Sequence, residues 1–281
     1  MKTLIESLLD DEDILMTNTG DKVLIEKFLK DNYNINGSFN IKDDIVDVNG
    51  DIVVRKEKRN ILKSLTNGFK FGIVKGNFYC YDCDNLSSLT DAPKEVGGGF
   101  NCSGCKSLKS LEGTPKKINE DFDCRYCSNL ISLKGAPKEV GGDFYCEFCI
   151  NLKSLEGAPK EVGEDFYCYN CSNLISLKGA PKEVGGGFDC SYCNSLKSLE
   201  DAPVKVGGGF DCSYCNSLKS LEDAPVKVLG AFNCFNCNSL KSLEGAPKEV
   251  GGDFNCSYCG VIFTKEEVKK YSNVKGKIYY K

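Results

Sequence analysis

The sequence predicts a repeat solenoid that is mainly β and contains one long parallel sheet. A phenylalanine returns every 22 residues without a slip, at Phe78, Phe100, Phe122, Phe144, Phe166, Phe188, Phe210, Phe232 and Phe254. Each repeat carries a Cys-x-x-Cys pair, and all eight prolines of the chain fall in one repeat position, from Pro93 to Pro247. One repeat cannot bury its own apolar residues, so neighbouring repeats must stack to form a shared core.

The chain divides into three predicted parts: a helical cap over residues 1–44, the solenoid over 45–259, and a second cap over 260–281. Two apolar stripes at helical spacing predict the first cap. They are Leu4, Ile5, Leu8 and Leu9, then Leu24, Ile25, Phe28 and Leu29. Thr19 or Asp21 could cap the second helix. The acidic run 10–13 is interpreted as a solvated linker, with a docking handle as the alternative.

A degenerate first rung is predicted before the nine regular repeats that start at Phe78. Residues 45–55 contain Asn49-Gly50 between alternating apolar residues, which is a strong hairpin signal. In the repeat register, however, residues 48–54 overlay residues 250–256, with Ile52 at the Phe position and Val54 at the first Cys position. We therefore interpret Asn49-Gly50 as a corner of the solenoid and not as a hairpin turn.

The C-terminal cap is predicted to be a short helix followed by a closing rung. Thr264 and Glu267 have the spacing of a capping box, and a helix should run from there to Tyr271. Residues 274–280 then overlay the Val-Gly-Gly-x-Phe-x-Cys step once more, which gives eleven rungs in all. Such atypical ends cover the open core and the sheet edges of a solenoid.

The repeat positions have distinct structural roles. The Phe and the first Cys are two residues apart, so both side chains of an extended segment point into the core. The second Cys falls where the chain leaves the strand, and its S–H can donate a weak hydrogen bond to a neighbouring corner carbonyl. Pro has no N–H, so its position suits the side of the solenoid away from the main sheet.

The unit Phe-x-Cys-x-x-Cys-x-x-Leu-x-Ser-Leu-x-Gly-Ala-Pro-x-x-Val resembles the leucine-rich repeat. It is similar to the short bacterial form with a proline in the return arm, and to arrays carried by some bacteriophages. The resemblance covers residues 48–280; Phe and Cys replace the two strand leucines, and one extra residue separates the second Cys from the next Leu. It implies a right-handed coil, a corner cysteine without metal, and a scaffold that binds proteins.

The cysteines allow two interpretations. Two stacked Cys-x-x-Cys pairs would bring four sulfurs together for zinc or an iron–sulfur cluster, as at Cys80, Cys83, Cys102 and Cys105 and the equivalent pairs. Against this, the first Cys lies on the buried face, where a neutral thiol packs well and a thiolate is costly to desolvate. We favour structural thiol ladders without a cofactor, and expect no disulfides because the compartment is predicted to be reducing.

The residues between and after the cysteines are predicted to face outward, and they vary between copies while the core does not. Tyr, Asn, Asp and Ser on a rigid sheet are typical of a recognition surface. The alternative is that these ladders merely stabilise the strands. The predicted partner-binding residues are Tyr79, Tyr81, Tyr126, Tyr145, Phe148, Tyr167, Tyr169, Asp189, Tyr192, Asp211, Tyr214, Phe235 and Tyr258.

Composition argues against several classes of function. The chain has no His, so no catalytic residue is predicted and an enzyme is not expected. The formal charge is −4 and the basic residues are dispersed, which argues against a nucleic-acid partner. No apolar run is long enough for a membrane span, and no signal-peptide pattern opens the chain, so a cytoplasmic location is expected.

The sequence therefore favours a non-enzymatic scaffold that binds a protein partner with the outward side of its sheet. One alternative is a metal-binding or redox array built on the stacked cysteine pairs. Another is a structural component of a larger assembly, for example in a phage, in which the ends of the array make the contacts. Charge reversal at Asp189 and Asp211 would test the first hypothesis, and deletion of residues 1–34 would test the last.

Overall fold

A computed structural model describes residues 22–281 of the chain. It begins with helix α1 (Lys22–Asn32), whose Ile25 and Leu29 are buried against the end of the array. This confirms the second predicted helix. The first predicted stripe, at Leu4 to Leu9, the acidic run 10–13 and the candidate capping residues Thr19 and Asp21 lie outside the described residues.

Two long strands follow α1 and form an antiparallel hairpin. Strands β1 (Tyr33–Lys42) and β2 (Ile45–Val54) pair over their full length. Asp43 and Asp44 join them with φ angles of 47° and 61°, the left-handed geometry that a tight hairpin turn requires. Strand β1 was not predicted from the sequence. It covers the edge of β2 that the solenoid leaves open, so the first rung carries no exposed edge on that side.

Strand β2 is also the first rung of the solenoid, as the repeat register predicted. Ile52 pairs in parallel with Phe78, and Val53 pairs with Tyr79. The first half of β2 pairs in parallel with β3 (Lys70–Val74). Asn49 and Gly50 lie inside the strand, between these two pairings, and the hairpin turns instead at Asp43 and Asp44.

Every later rung adds two short strands, one before and one after a three-residue corner. After β3, the strands before the corner are β5 (Glu95–Val96), β7 (Lys117–Ile118), β9 (Glu139–Val140), β11 (Glu161–Val162), β13 (Glu183–Val184), β15 (Lys205–Val206), β17 (Lys227–Val228), β19 (Glu249–Val250) and β21 (Asn273–Val274). The strands after it are β4 (Phe78–Tyr79), β6 (Phe100–Asn101), β8 (Phe122–Asp123), β10 (Phe144–Tyr145), β12 (Phe166–Tyr167), β14 (Phe188–Asp189), β16 (Phe210–Asp211), β18 (Phe232–Asn233), β20 (Phe254–Asn255) and β22 (Ile278–Tyr279). Each strand pairs in parallel with its counterpart in the next rung, and both sets meet in β2 to give one sheet of 22 strands and about eleven turns.

The core is a set of continuous side-chain columns. The repeated Phe rings are buried and follow one another at centroid distances of 5.0–5.7 Å. The cysteines, the two leucines of each Leu-x-Ser-Leu segment and the Val or Ile that ends the strand before each corner fill the rest of the interior. Burial of these columns joins all rungs into one cluster that no single repeat could form.

The far end is closed as predicted. Helix α2 (Lys265–Tyr271) begins with a capping box in which the backbone N–H of Glu267 donates to Thr264 Oγ1 and the backbone N–H of Thr264 donates to Glu267 Oε2. Strands β21 and β22 then complete the last rung on β19 and β20. Across residues 22–281, neither helix has the length and apolar character needed to cross a bilayer.

Candidate binding face

Three adjacent columns of side chains form the face that the sequence singled out. The first column contains the residue after each Phe, the second contains the residue after each first Cys, and the corner column contains the residue before each second Cys. Of the predicted binding residues, Tyr79, Tyr145, Tyr167, Asp189 and Asp211 lie in the first column; Tyr81, Tyr169 and Phe235 in the second; and Tyr126, Phe148, Tyr192, Tyr214 and Tyr258 in the corner column. The parallel register aligns each column from rung to rung.

The corner column has a left-handed backbone in every regular repeat. Its eight non-glycine residues have φ between 55° and 59°, and Gly104 has φ 70°. This conformation costs an ordinary side chain about 1–2 kcal/mol, yet five of these positions are aromatic. The left-handed turn was not predicted, although the sequence carried the signal: Asp82, Gly104, Asn170 and Asn236, the residue types that favour this conformation, share the column.

The aromatic residues gather into two exposed stacks. Tyr126 stacks on Phe148 at 4.6 Å, and Phe148 meets the ring of Tyr169 edge-on at 5.2 Å. The second stack begins on the rung after Tyr169, where Tyr192 stacks on Tyr214 of the following rung at 4.3 Å. The second stack continues through Phe235 to Tyr258, which is 68% exposed.

Tyr79 and Tyr81 form a separate pair at the start of the array. Their ring centroids are 6.4 Å apart, and the guanidinium of Arg59 lies 3.9 Å from the Tyr81 centroid. The next rung carries Asn101, Ser103 and Gly104 in the three columns, which separates this pair from the stacks. The structure therefore does not bring these two predicted residues together with the others.

The second column is less exposed than the sequence suggested. Its serines Ser191, Ser213 and Ser257 are buried, and Glu147 is only 2% exposed. The backbone N–H of Ser191 donates to Asp189 Oδ1, and that of Ser213 donates to Asp211 Oδ1, both at 2.8 Å. Recognition from outside therefore falls mainly to the first and corner columns.

One rung neutralises its own carboxylate. Arg125 donates from Nη2 to Asp123 Oδ2 at 2.7 Å and from Nε to Asp123 Oδ1 at 3.1 Å. Its guanidinium also lies 4.7 Å from the centroid of the Tyr145 ring. The hydrogen bonds to Asp123 raise the pKa of Arg125. Asp123, Arg125 and Tyr145 thus show how this face holds a guanidinium: a bidentate carboxylate and an aromatic ring.

Glu147 lies one rung further and has no such partner. Within the described part of the chain, its Oε2 is buried without a hydrogen bond. Burial raises the pKa of Glu147 to about 7; the charge of Arg125 opposes this rise, and those of Asp123 and Asp189 add to it. The repeat pattern does not predict this group, because Glu147 stands where most repeats carry Ser, Tyr or Phe.

Replacing Glu147 by Gln is expected to stabilise the protein at pH 8 and to flatten its stability at lower pH. The folded state holds a proton on Glu147 up to about pH 7, whereas the unfolded chain releases it near pH 4.3, so stability falls as pH rises through that window. The gain in the variant at pH 8 should be on the order of 2 kcal/mol. Urea unfolding at pH 5 and pH 8 measures it, and Glu244→Gln on the exposed return arm is the control. An unchanged difference between the two pH values in E147Q would contradict the assignment.

A further column, distinct from the corner column, contains the residue directly before each Phe. This residue is the third of the three-residue corner between the two strands, and we call its place the third corner position. Asp121, Asp143 and Asp165 occupy it on consecutive rungs, and Asp121 and Asp143 each accept the backbone N–H of the residue one rung ahead in the column. The hydroxyl groups of Tyr145 and Tyr167 donate to Asp143 and Asp165 at 2.5 and 2.6 Å. These hydrogen bonds fix the orientation of the Tyr rings. The Tyr145 and Tyr167 rings stack with their centroids 5.2 Å apart and their planes 4° from parallel.

The same column loses its side chains in the following rungs, and a groove of about 350 Å³ opens there. Gly187, Gly209 and Ala231 take the place of the aspartates and form its floor. Tyr167 closes one end, and the first-column residues Asp189, Asp211 and Asn233 line one side. We call this feature the glycine groove.

Comparison with protein-family models, with curated proteins and with solved structures finds no match to this chain. The 22-residue parallel β-solenoid is established by its own register. The role of the protein therefore has to be inferred from the chemistry of its faces.

The cysteines form hydrogen-bonded ladders inside the array. From Cys105 to Cys259, the thiol of each second Cys donates to the backbone carbonyl of the first Cys one rung back, at 3.1–3.3 Å. This is the S–H donation predicted for the corner. All eighteen cysteines are free thiols, and burial raises the pKa of the first Cys of a pair, such as Cys146 or Cys168, well above the usual range. Across residues 22–281, no group of three or more Cys, Asp or Glu side chains is arranged to hold a metal ion.

Cys259 is expected to react with thiol reagents before the other cysteines. Its side chain is partly exposed and its interaction with the Cys234 side chain lowers its pKa, whereas the remaining seventeen thiols are buried. Native protein at pH 8 should therefore label rapidly at one thiol per chain with Ellman's reagent, and the rest should react only on unfolding. Cys259→Ala should remove the rapid phase. Rapid labelling of many thiols in the native state would contradict the buried ladders.

Proposed function

We propose that the protein is a non-enzymatic scaffold that binds a protein partner through the three columns of its candidate binding face. The observation that carries this proposal is the set of aromatic residues in the left-handed corner column. Asp82, Gly104 and Asn170 make the same turn without a large side chain, so the solenoid does not need an aromatic residue there. An aromatic side chain at that position costs backbone energy and adds exposed apolar area. Both costs are explained if these rings contact a partner.

The rigidity of the array supports this role. A binding face on a hydrogen-bonded sheet loses little conformational freedom when a partner binds, which favours affinity. Tyr side chains add contact area at low entropic cost, and the Asp and Asn residues of the first column offer polar contacts. The resemblance to leucine-rich repeats, which are commonly protein-binding scaffolds, agrees with this assignment.

We place the scaffold in a reducing, cytoplasmic environment because it carries eighteen free cysteines. The formal charge of −4 and the absence of His from the sequence favour a protein partner over nucleic acid and over acid–base catalysis. We further propose that the cysteines serve the core and hold no cofactor. Elemental analysis of protein purified without oxygen should give less than one zinc or iron per chain; a stoichiometric metal would favour the metal-binding alternative.

The proposal is tested by replacing the corner aromatics with asparagine, which the turn already accommodates at Asn170 and Asn236. The variant carries Tyr126→Asn, Phe148→Asn, Tyr192→Asn, Tyr214→Asn and Tyr258→Asn. It should remain folded and should lose at least tenfold in capture of proteins from a lysate of the native host, quantified by mass spectrometry against wild type.

A matched control removes exposed apolar residues elsewhere. Ile131→Asn with Ile175→Asn acts on the Leu-x-Ser-Leu arc, where both side chains are about as exposed as Tyr126. This control should capture the same proteins as wild type. Equal capture by the corner variant and by wild type would overturn the proposed binding face.

A further inference from the structure

The glycine groove lies where the third corner position loses its carboxylates on three successive rungs. On three preceding rungs the third corner position carries Asp121, Asp143 and Asp165, and at Gly187, Gly209 and Ala231 the space of those carboxylates is empty. A Cβ added at Gly187 would come no closer than 3.1 Å to a neighbouring atom, and one at Gly209 no closer than 3.2 Å. These contacts are tight, but Asp121, Asp143 and Asp165 stand at the same position on other rungs, so the groove is a local property of these rungs.

Three aspartates line this groove; Asp165 accepts hydrogen bonds from the Tyr167 hydroxyl and the Gly187 N–H, and the other two lack a cation. Asp189 and Asp211 are direct partners in neighbouring strands, about 4.8 Å apart along the ladder. Each accepts one serine N–H through Oδ1, and Asp211 Oδ2 also accepts a hydrogen bond from Asn233 at 2.8 Å. Among residues 22–281, neither takes part in an ion pair of the kind that joins Asp123 to Arg125. Burial raises the pKa of Asp189 above its ordinary value; hydrogen bonds from Ser191 oppose this rise, and the charge of Asp211 adds to it.

The chain itself shows which group satisfies this arrangement. Asp123 stands in the same column as Asp189 and Asp211, and its rung supplies Arg125 two residues later. In the two groove rungs the corresponding residues are Ser191 and Ser213, which cannot neutralise a carboxylate. Asp189 and Asp211 therefore repeat the carboxylate of the Asp123–Arg125 pair, but their rungs carry no arginine. An aromatic ring is present as well: Tyr167 borders the groove on the rung before Asp189, whereas Tyr145 lies beside Arg125 on the rung after Asp123.

We infer that the glycine groove binds an arginine side chain of the protein partner, with its guanidinium against Asp189 and Asp211 and its aliphatic stem over Gly187, Gly209 and Ala231. The planar guanidinium carries several donors, so it can contact the two carboxylates together, and the small floor residues leave room for its stem. The inference rests on the proposed function, which it deepens by naming a basic segment as the ligand. Stacking of the guanidinium near Tyr167 would add a cation–π contribution.

The test uses N-acetyl-argininamide as the probe and the full chain labelled with ¹⁵N. Titration should give saturable shifts of the amide signals of Gly187, Gly209 and Ala231. The citrulline counterpart, which has the same shape without the charge, should give no saturable shift. The double variant Asp189→Asn with Asp211→Asn should bind the arginine probe at least tenfold more weakly, and Asp223→Asn on the return arm should leave binding unchanged.

A second variant separates groove shape from charge. Gly187→Asn with Gly209→Asn places in the floor the residue type that Asn77 already contributes to this column, where its Oδ1 accepts the N–H of Gly99 at 2.6 Å. This variant keeps both carboxylates and fills the space, so it should retain its fold and lose the arginine shifts. Retained binding in the filled groove would overturn the placement of the stem.

The outcomes also separate this inference from the proposed function. Absence of saturable arginine shifts in wild type, or equal shifts with citrulline, would overturn the inference while leaving partner capture by the corner aromatics intact. Saturable shifts with calcium chloride and none with the arginine probe would overturn it in favour of a cation site. Arginine binding in the groove together with undiminished capture by the corner variant would keep the inference as a binding property and reject the proposed face.

Discussion

Replacing Phe166 by alanine is expected to lower the free energy of unfolding by about 3–5 kcal/mol. The ring is fully buried near the middle of the Phe column, 5.0 Å from the Phe144 ring and 5.1 Å from the Phe188 ring. Truncation therefore removes two ring contacts and leaves a cavity that the hydrogen-bonded rungs on both sides hold open. Urea unfolding followed by circular dichroism measures the loss.

The chain supplies its own control for this substitution. Ile52 and Ile278 stand in the Phe column in the first and last rungs, so Phe166→Ile introduces a residue that the column accepts. Its loss should be clearly smaller than that of Phe166→Ala. Since solenoid rungs are coupled to their neighbours, the alanine variant should also broaden the transition as the two halves of the array uncouple. A loss below about 1 kcal/mol would contradict a tightly packed column.

Replacing Gly179 by valine is the second substitution with a large expected effect, a loss of roughly 3 kcal/mol or more in the free energy of unfolding. Gly179 has φ 90°, a conformation that a β-branched residue strongly disfavours. A Cβ at this position would also lie 2.6 Å from the Cα of Glu156 and 2.7 Å from the carbonyl oxygen of Leu155, both in the backbone of the preceding rung. Strain and steric overlap therefore act together, and thermal and urea unfolding should both register the loss.

Aspartate at the same site is the matched control. Asp201 and Asp223 occupy the equivalent position one and two repeats after Gly179, with φ 64° and 65°, so the array accommodates aspartate there. Gly179→Asp should cost much less than Gly179→Val. Similar losses for the two variants would mean that space alone, and not the backbone conformation of the β-branched residue, decides the tolerance of this column.

Most of the fold could be predicted because the repeat fixes it. A Phe that returns every 22 residues defines the register of the ladders, and the overlay of residues 48–54 on 250–256 identified the first rung. The capping box at Thr264 identified α2 by local chemistry alone. Strand β1 was missed because its position depends on pairing with β2, a contact that no repeat position encodes.

The candidate binding face could be predicted only in outline. Alternation along the strand indicated which columns point outward, but it did not indicate that Glu147 would be buried. The left-handed corner was visible only by comparing Gly104 with Asn170 and Asn236 across repeats. The glycine groove is produced by missing side chains, and a sequence motif describes residues that are present more readily than the space between them.

The two rungs beside the groove have a property that follows from their sequences. Residues 188–206 and 210–228 are identical over 19 positions, so Asp189 and Asp211 are copies of one residue. In a parallel ladder, an in-frame copy of one unit sets every side chain beside its duplicate at a single strand spacing. A lone carboxylate thereby becomes a matched pair in one genetic event, with no change to the core. New ligand chemistry can thus arise in this architecture by altering the number of units instead of the identity of any residue.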